Sequence, residues 1–255
     1  MSQYLASPRE GHLEAVYHIF DFVKTRLKTT MVFDPKDMDV SDANQVPIGD
    51  WKEFYGDVEE EIPPFAPPPL GRAVDIFCFV DADHAGNLLT RRSHTGVLIY
   101  VQNAPIIWYS KKQNTVESSS FGSEFVAMRA ARDMIVSLRH KLRSFGVPLK
   151  GPAHMFCDNQ GVVNNASLPA STLSKRHNAI NYHVVRESAA AGILKVSKVD
   201  GKHNLADVFT KVMGSQQRQN LLSRIIYSSM FAQGDRQKNP GDSISSQKHK
   251  MMRIE

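Results

Sequence analysis

Cysteine is scarce in this sequence, with two residues, Cys78 and Cys157, in 255. Two thiols cannot staple a fold, and both lie inside apolar runs. They read as buried thiols in a reducing, intracellular compartment, cytoplasmic or nuclear. Long apolar runs are also missing: no stretch reaches the ~18 residues that a membrane helix requires, so no membrane role is expected. The opening MSQYLASPREGH has no basic start followed by an apolar core, which argues against a secretory leader. What is present is an ordinary globular balance, 42% hydrophobic and 22% charged.

The net charge of +5 hides a segregation: residues 1–70 carry −7, residues 71–230 carry +10 and residues 231–255 carry +2. A basic middle suits a polyanionic partner, because each Lys or Arg that neutralises a phosphate releases a condensed counterion. Charge alone also fits a merely soluble surface.

Ser7-Pro8-Arg9-Glu10 has the form of a helix start, and Leu13, Val16, Phe20 and Val23 continue at helical spacing to about Thr25. A short strand over 30–33 follows. Two such elements cannot bury a core alone, so residues 1–35 read as the end of a truncated domain. Residues 36–70 turn acidic and then proline-rich, which predicts an extended linker, and residues 231–255 read as a disordered polar tail.

Residues 71–230 hold the informative pattern. Strands are expected over 74–80, 95–101, 105–109, 153–157 and 193–199. The serines at 118–120 offer caps for a long helix with apolar positions 121, 125, 128, 131, 135, 138, 142 and 145, stopped by Gly146. A second helix is predicted from Ser171 with its face at 173, 177, 180, 184, 188 and 191, and a last helical stretch after Asn204. The order fits an α/β domain: a five-stranded mixed sheet, antiparallel first and parallel later, with helices on both faces.

Four acids fall at informative places. Asp81 and Asp158 each end an apolar strand, Glu124 lies one turn inside the long helix, and Asp207 opens the last helical stretch. Carboxylates packed together repel and lose hydration, so a cluster of them calls for divalent cations. Oxygen ligands with no accompanying Cys or His cluster favour magnesium or manganese over zinc. Singly, each acid can equally be a cap or a turn residue.

Several motifs in order give the chain a specific resemblance. They are Val80-Asp81-Ala82-Asp83-His84-Ala85-Gly86, Arg91-Arg92-Ser93-His94-Thr95-Gly96, Ser110-Lys111-Lys112-Gln113 and Cys157-Asp158-Asn159-Gln160. Tyr182-His183-Val184-Val185-Arg186-Glu187 and Asn204-Leu205-Ala206-Asp207-Val208-Phe209-Thr210-Lys211 complete the set. Over about residues 72–228 the chain resembles the ribonuclease H domain of copia-type LTR retrotransposon polyproteins. Residues 5–33 resemble the end of the reverse transcriptase of the same polyprotein. The resemblance implies a ribonuclease H-like fold and hydrolysis of the RNA strand of RNA–DNA hybrids. It also implies two Mg2+ ions, replaceable by Mn2+, on Asp81, Glu124, Asp158 and Asp207. Three departures stand out: His84 in place of a frequent tryptophan, Gly122 in place of a second acid, and Ala179 and Asn181 in place of charged residues.

Asp83 lies on the same strand face as Asp81, so alternation does not separate the two, whereas the resemblance favours Asp81. Lys111 and Lys112 can sit beside phosphates, or simply end a solvated hairpin. Asn159 and Gln160 can contact ribose hydroxyls, or cap the helix that follows. His177 fits a partly buried helix position better than a ligand, and His203 fits a loop residue. A catalytically inactive remnant that binds nucleic acid or packs on a polymerase is the alternative to an active ribonuclease.

Overall fold

The computed structural model describes residues 7–44, 46, 49–173 and 178–227. The chain divides into two compact units, Met1–Thr30 with Ile226–Glu255, and Met31–Ile225. The expected tail over 231–255 and His177 lie outside the described residues.

In the first unit, helix α1 spans Glu10–Lys24 and buries none of its side chains. It begins later than the Ser7 motif suggests, with Arg9 at the N-cap. Thr30 pairs with Tyr227 through a single antiparallel bridge. The strand expected over 30–33 does not form, and Asp34, in the second unit, makes its own isolated bridge to Asn103.

The second unit is built on a six-stranded sheet in the order β1-β6-β5-β2-β3-β4. Its strands are β1 (Ala43–Asn44), β2 (Ile76–Asp83), β3 (His94–Val101), β4 (Ala104–Lys112), β5 (Ala153–Cys157) and β6 (Leu194–Val199). The meander β2–β3–β4 is antiparallel, whereas β5 runs parallel to both β2 and β6. Strand order and directions agree with the expected mixed sheet, antiparallel first and parallel later. The sixth strand comes from the acidic segment, which also holds the short helix α2 (Lys52–Tyr55): β1 pairs antiparallel with β6.

Strand alternation splits the core. Ile76, Cys78 and Val80 face the helices α3 (Ser120–Ser144), α4 (Gln160–Ser167) and α5 (Ala179–Ala190). Phe77 and Phe79 face the opposite layer, a 3-10 turn at Leu205–Phe209 and helix α6 (Ser215–Leu222). Phe125, Met128, Ala131, Ile135 and Leu138 of α3 are buried at the expected spacing, while Phe145 is exposed.

Two expectations need correction. The segment over 36–70 is not a free linker. Its Trp51 is 6% exposed, and its Glu60 accepts bonds from Nε and Nη2 of buried Arg139 at 2.7 and 2.6 Å. Hydropathy missed this because the contacts are charged or single aromatic anchors.

The second helix begins at Ala179, not Ser171, and buries Tyr182, Val185, Arg186, Ser188 and Ala189, while Ile180 is 70% exposed. The buried face includes Arg186, whose guanidinium donates to the carbonyls of Asn165, Leu168 and Pro169 and lies over the rings of Trp51, Tyr55 and Tyr182. A cation satisfied in this way can occupy a core position that apolar periodicity does not register.

Candidate metal centre

β2 and β5 are adjacent and parallel, so both deliver an acid at the same end of the sheet: Asp81 near the end of β2, and Asp158 directly after β5. The carboxyl ends of parallel strands are where open α/β sheets form their clefts. Glu124 arrives from α3, whose start is fixed by Ser119, its side chain accepting from the Gly122 N–H. Glu124 in turn accepts from the Ala82 backbone N–H.

Asp207 is set by the 3-10 turn. Asn204 donates to the Val80 carbonyl at 3.1 Å and accepts from the Ala206 N–H, pinning the turn one residue before Asp81. Close approach on the other side requires Gly96. A Cβ there would lie 2.8 Å from the Ala206 carbonyl oxygen and 2.7 Å from Thr210 Cγ2.

Ligand oxygens of Asp81, Glu124 and Asp158 lie within 4.8 Å of one another. Burial, then the nearby Asp81 and Asp158, push the Glu124 carboxyl well above the usual range. Burial, with Asp81 and Asp158 adding to it against the Lys211 ammonium, raises Asp207 to about 6. The buried Cys157 thiol, 4.0 Å from Glu124 Oε2, is raised in the same way. The group is therefore short of positive charge, and all its carboxylate donors are hard oxygens, a set that fits magnesium or manganese.

Asp207 stands outside the group of three and joins it through Lys211. The Lys211 Nζ is 2.8 Å from Asp207 Oδ1, 3.0 Å from Asp81 Oδ1 and 3.5 Å from Asp158 Oδ2. Thr210 Oγ1 donates to Asp81 Oδ2. Neither Thr210 nor Lys211 was singled out from the sequence, although the spacing of Asp207 and Lys211, four apart at a helix start, was the available signal.

Geometry separates Asp83 from Asp81. Asp83 accepts the His94 backbone N–H and lies 3.4 Å from His94 Nδ1, closing the end of β2 and β3. Lys112 pairs with His94 and Lys111 with Thr95, so both sit at the acid end of the sheet, two strands or about 10 Å from β2. Lys111 is exposed and Lys112 half-buried. Asn159 caps α4, accepting from the Val162 N–H, and Gln160 donates to Asn164 within that helix. His203 approaches Asp42 at 3.7 Å. At Gly122 the place of a side chain is already filled: a Cβ would lie 2.6 Å from Glu117 Oε2.

No family model matches the chain. The chain is 31% identical over 155 residues to the retrovirus-related Pol polyprotein from transposon RE1 of Arabidopsis thaliana, covering 61% of this chain and 11% of that protein. The similarity is thus to one part of a transposon Pol polyprotein. A second Pol polyprotein, from transposon TNT 1-94 of Nicotiana tabacum, is 30% identical over 135 residues, 53% of this chain and 10% of that protein. The chain thus spans about a tenth of the length of these Pol relatives.

Among solved structures, the N-terminal RNase H domain of rv2228c from Mycobacterium tuberculosis is 14% identical. It covers 59% of this chain and 98% of that one, with a TM-score of 0.41. LC11-RNase H1 in complex with an RNA/DNA hybrid is also 14% identical, covering 53% and 94%, with a TM-score of 0.42. Among the described residues, no helix is long and apolar enough to cross a membrane.

Proposed function

We propose that this domain hydrolyses the RNA strand of RNA–DNA hybrids during retrotransposon reverse transcription. Asp81, Glu124, Asp158 and Asp207 would hold two Mg2+ ions, or Mn2+ in their place. The observation that carries the reading is the convergence of three acids with oxygens within 4.8 Å, two of them buried and one only partly exposed, at the carboxyl ends of β2 and β5. Such a cluster lowers stability unless cations neutralise it, so a purely structural role does not explain it.

When bound, the ions supply an activated water and stabilise the leaving oxygen of the phosphodiester. The chain's own residues do the rest. Asn204 and Gly96 position the Asp207 turn against β2 and β3, and Ser119 sets the start of the helix that carries Glu124. Lys111 and Lys112 would meet phosphates on one side of the acids. Residues 1–35 would be the end of the reverse transcriptase, which makes that polymerase a natural partner.

The Lys211 ammonium, already among the acids, favours a second reading: a catalytically inactive module that binds nucleic acid or packs on the polymerase. A labelled RNA–DNA hybrid, with single- and double-stranded controls, decides between them. The nuclease reading expects magnesium- or manganese-dependent cutting of the hybrid's RNA strand only. Binding of the hybrid without cutting under either metal establishes the module instead.

A further inference from the structure

Resting on the reading of the carboxylates as a metal centre, we propose that Lys211 is a tethered cation on the second of two ion positions. In that role it makes metal uptake sequential. The first position is the group formed by Asp81, Glu124 and Asp158. The second lies between Asp81 and Asp207, and there the Lys211 Nζ is 3.0 Å from one carboxylate and 2.8 Å from the other. Its ion pairs include Asp158 at 3.5 Å but not Glu124, so the ammonium sits to the Asp207 side of the cluster.

An ammonium and a divalent ion repel most where they would share the same two carboxylate oxygens, so Lys211 closes the position between Asp81 and Asp207, its nearest partners, more than the one at Glu124 and Asp158. The lysine can leave. Its side chain is 39% exposed, whereas those of Asp81 and Asp207 are 1% and 5% exposed and stay with their turns. The free protein therefore takes its first ion at Asp81, Glu124 and Asp158. It takes a second only when Lys211 swings out to solvent or to another anion. Between ions, Lys211 keeps Asp81 and Asp207 from facing each other uncompensated.

The test is calorimetric titration of chelator-treated protein with Mn2+ alone, without nucleic acid, alongside melting of the metal-free protein. Wild type is expected to bind one ion per chain. Lys211→Met is expected to bind two, or to hold the second about tenfold or more tighter, and to melt lower without metal yet gain more from it. Lys211→Arg, which keeps the charge, is expected to bind as wild type does. A Lys211→Met protein that melts lower but binds no more metal than wild type overturns the inference and leaves Lys211 a structural residue. If Lys211→Met does not fold without metal, it is refolded against rising Mn2+. Recovery at two ions per chain supports the proposal, and no recovery overturns it. A wild type that binds no ion at all overturns the metal-centre reading itself, an outcome distinct from the failure of Lys211 alone.

Discussion

Two buried clusters of charge in the second unit meet opposite fates. Glu60 lies against Arg139 and Arg143, with its side chain 15% exposed and that of Arg139 3% exposed. Burial alone would raise the Glu60 carboxyl, but the bonds from Arg139 and Arg143 outweigh it and hold the group below its ordinary value. At the sheet end, Glu124 and Asp207 are raised, because burial there is joined by neighbouring acids and opposed mainly by one lysine. The first cluster is balanced and binds the acidic segment to α3. The second is left unbalanced, as the proposed metal centre requires.

The largest effect expected is at the unbalanced cluster. Asp158→Asn keeps the side chain's shape but removes a charge on which the proposed metal binding would depend. Cleavage of a hybrid should fall by about a thousandfold or more, while hybrid binding, which rests on Lys and Arg contacts to phosphate, should hold or tighten. Both are measured on the same preparations at one stated salt concentration. Cutting by Asp158→Asn at the wild-type rate would remove Asp158 from the site.

The balanced cluster should respond in stability instead. A protein beginning at Gly71 loses Glu60, the carboxylate paired with Arg139, together with the packing of Trp51, and should be less stable by about 3 kcal/mol or more. A protein beginning at Met31 retains both residues and should melt as the full chain does. Glu60→Gln should reproduce much of the loss without altering Mn2+ affinity. If the Gly71 protein melts like the Met31 protein, the 36–70 segment is a linker after all.

The two clusters also have opposite pH signatures in metal-free protein. Asp207 is raised from 3.8 to about 6, so the folded state holds its proton more tightly than the unfolded state across that window. Its contribution is therefore most favourable at low pH and is lost as pH rises through about 6, with Glu124 extending the fall upward. Glu60, lowered from 4.5, has the reverse sign: its contribution is present above 4.5 and is lost as pH falls through its folded value. Metal-free melting temperature should thus decline from about pH 4.5 to above 6, and saturating Mg2+ should flatten that decline. An unchanged slope with Mg2+ would mean that no ion reaches the carboxylates.

Much of this was legible in the sequence, for definite reasons. Apolar runs ending in Asp81 and Asp158 mark two buried strands and their carboxyl ends, and the stripe on α3 marks its buried face. Asn204 ahead of Asp207 marks the capped turn. What escaped were polar contacts between distant segments, which no local period records. Arg186 is buried by three carbonyls and three rings, and Glu60 by Arg139 from 79 positions away. Lys211 escaped because its role depends on three acids from separate elements meeting at its ammonium.

The smallest effect expected is at Asn159, the neutral neighbour of Asp158. Its side chain accepts from the Val162 N–H, one of the orphan donors at the start of α4. Asn159→Ala should cost about 1 kcal/mol, as the loss of an N-cap does. Asn159→Ser restores a capping oxygen on a shorter side chain, and so separates capping from contact with a ribose. If Ser recovers both melting temperature and hybrid affinity, Asn159 acts as a cap alone. If Ser recovers the melting temperature but hybrid affinity stays reduced, the amide also meets the nucleic acid. In that case the boundary of the unbalanced site extends one residue into α4. Losses well above 1 kcal/mol in Asn159→Ala would show instead that the start of α4 braces Asp158 itself, and metal affinity should then fall in the same variant.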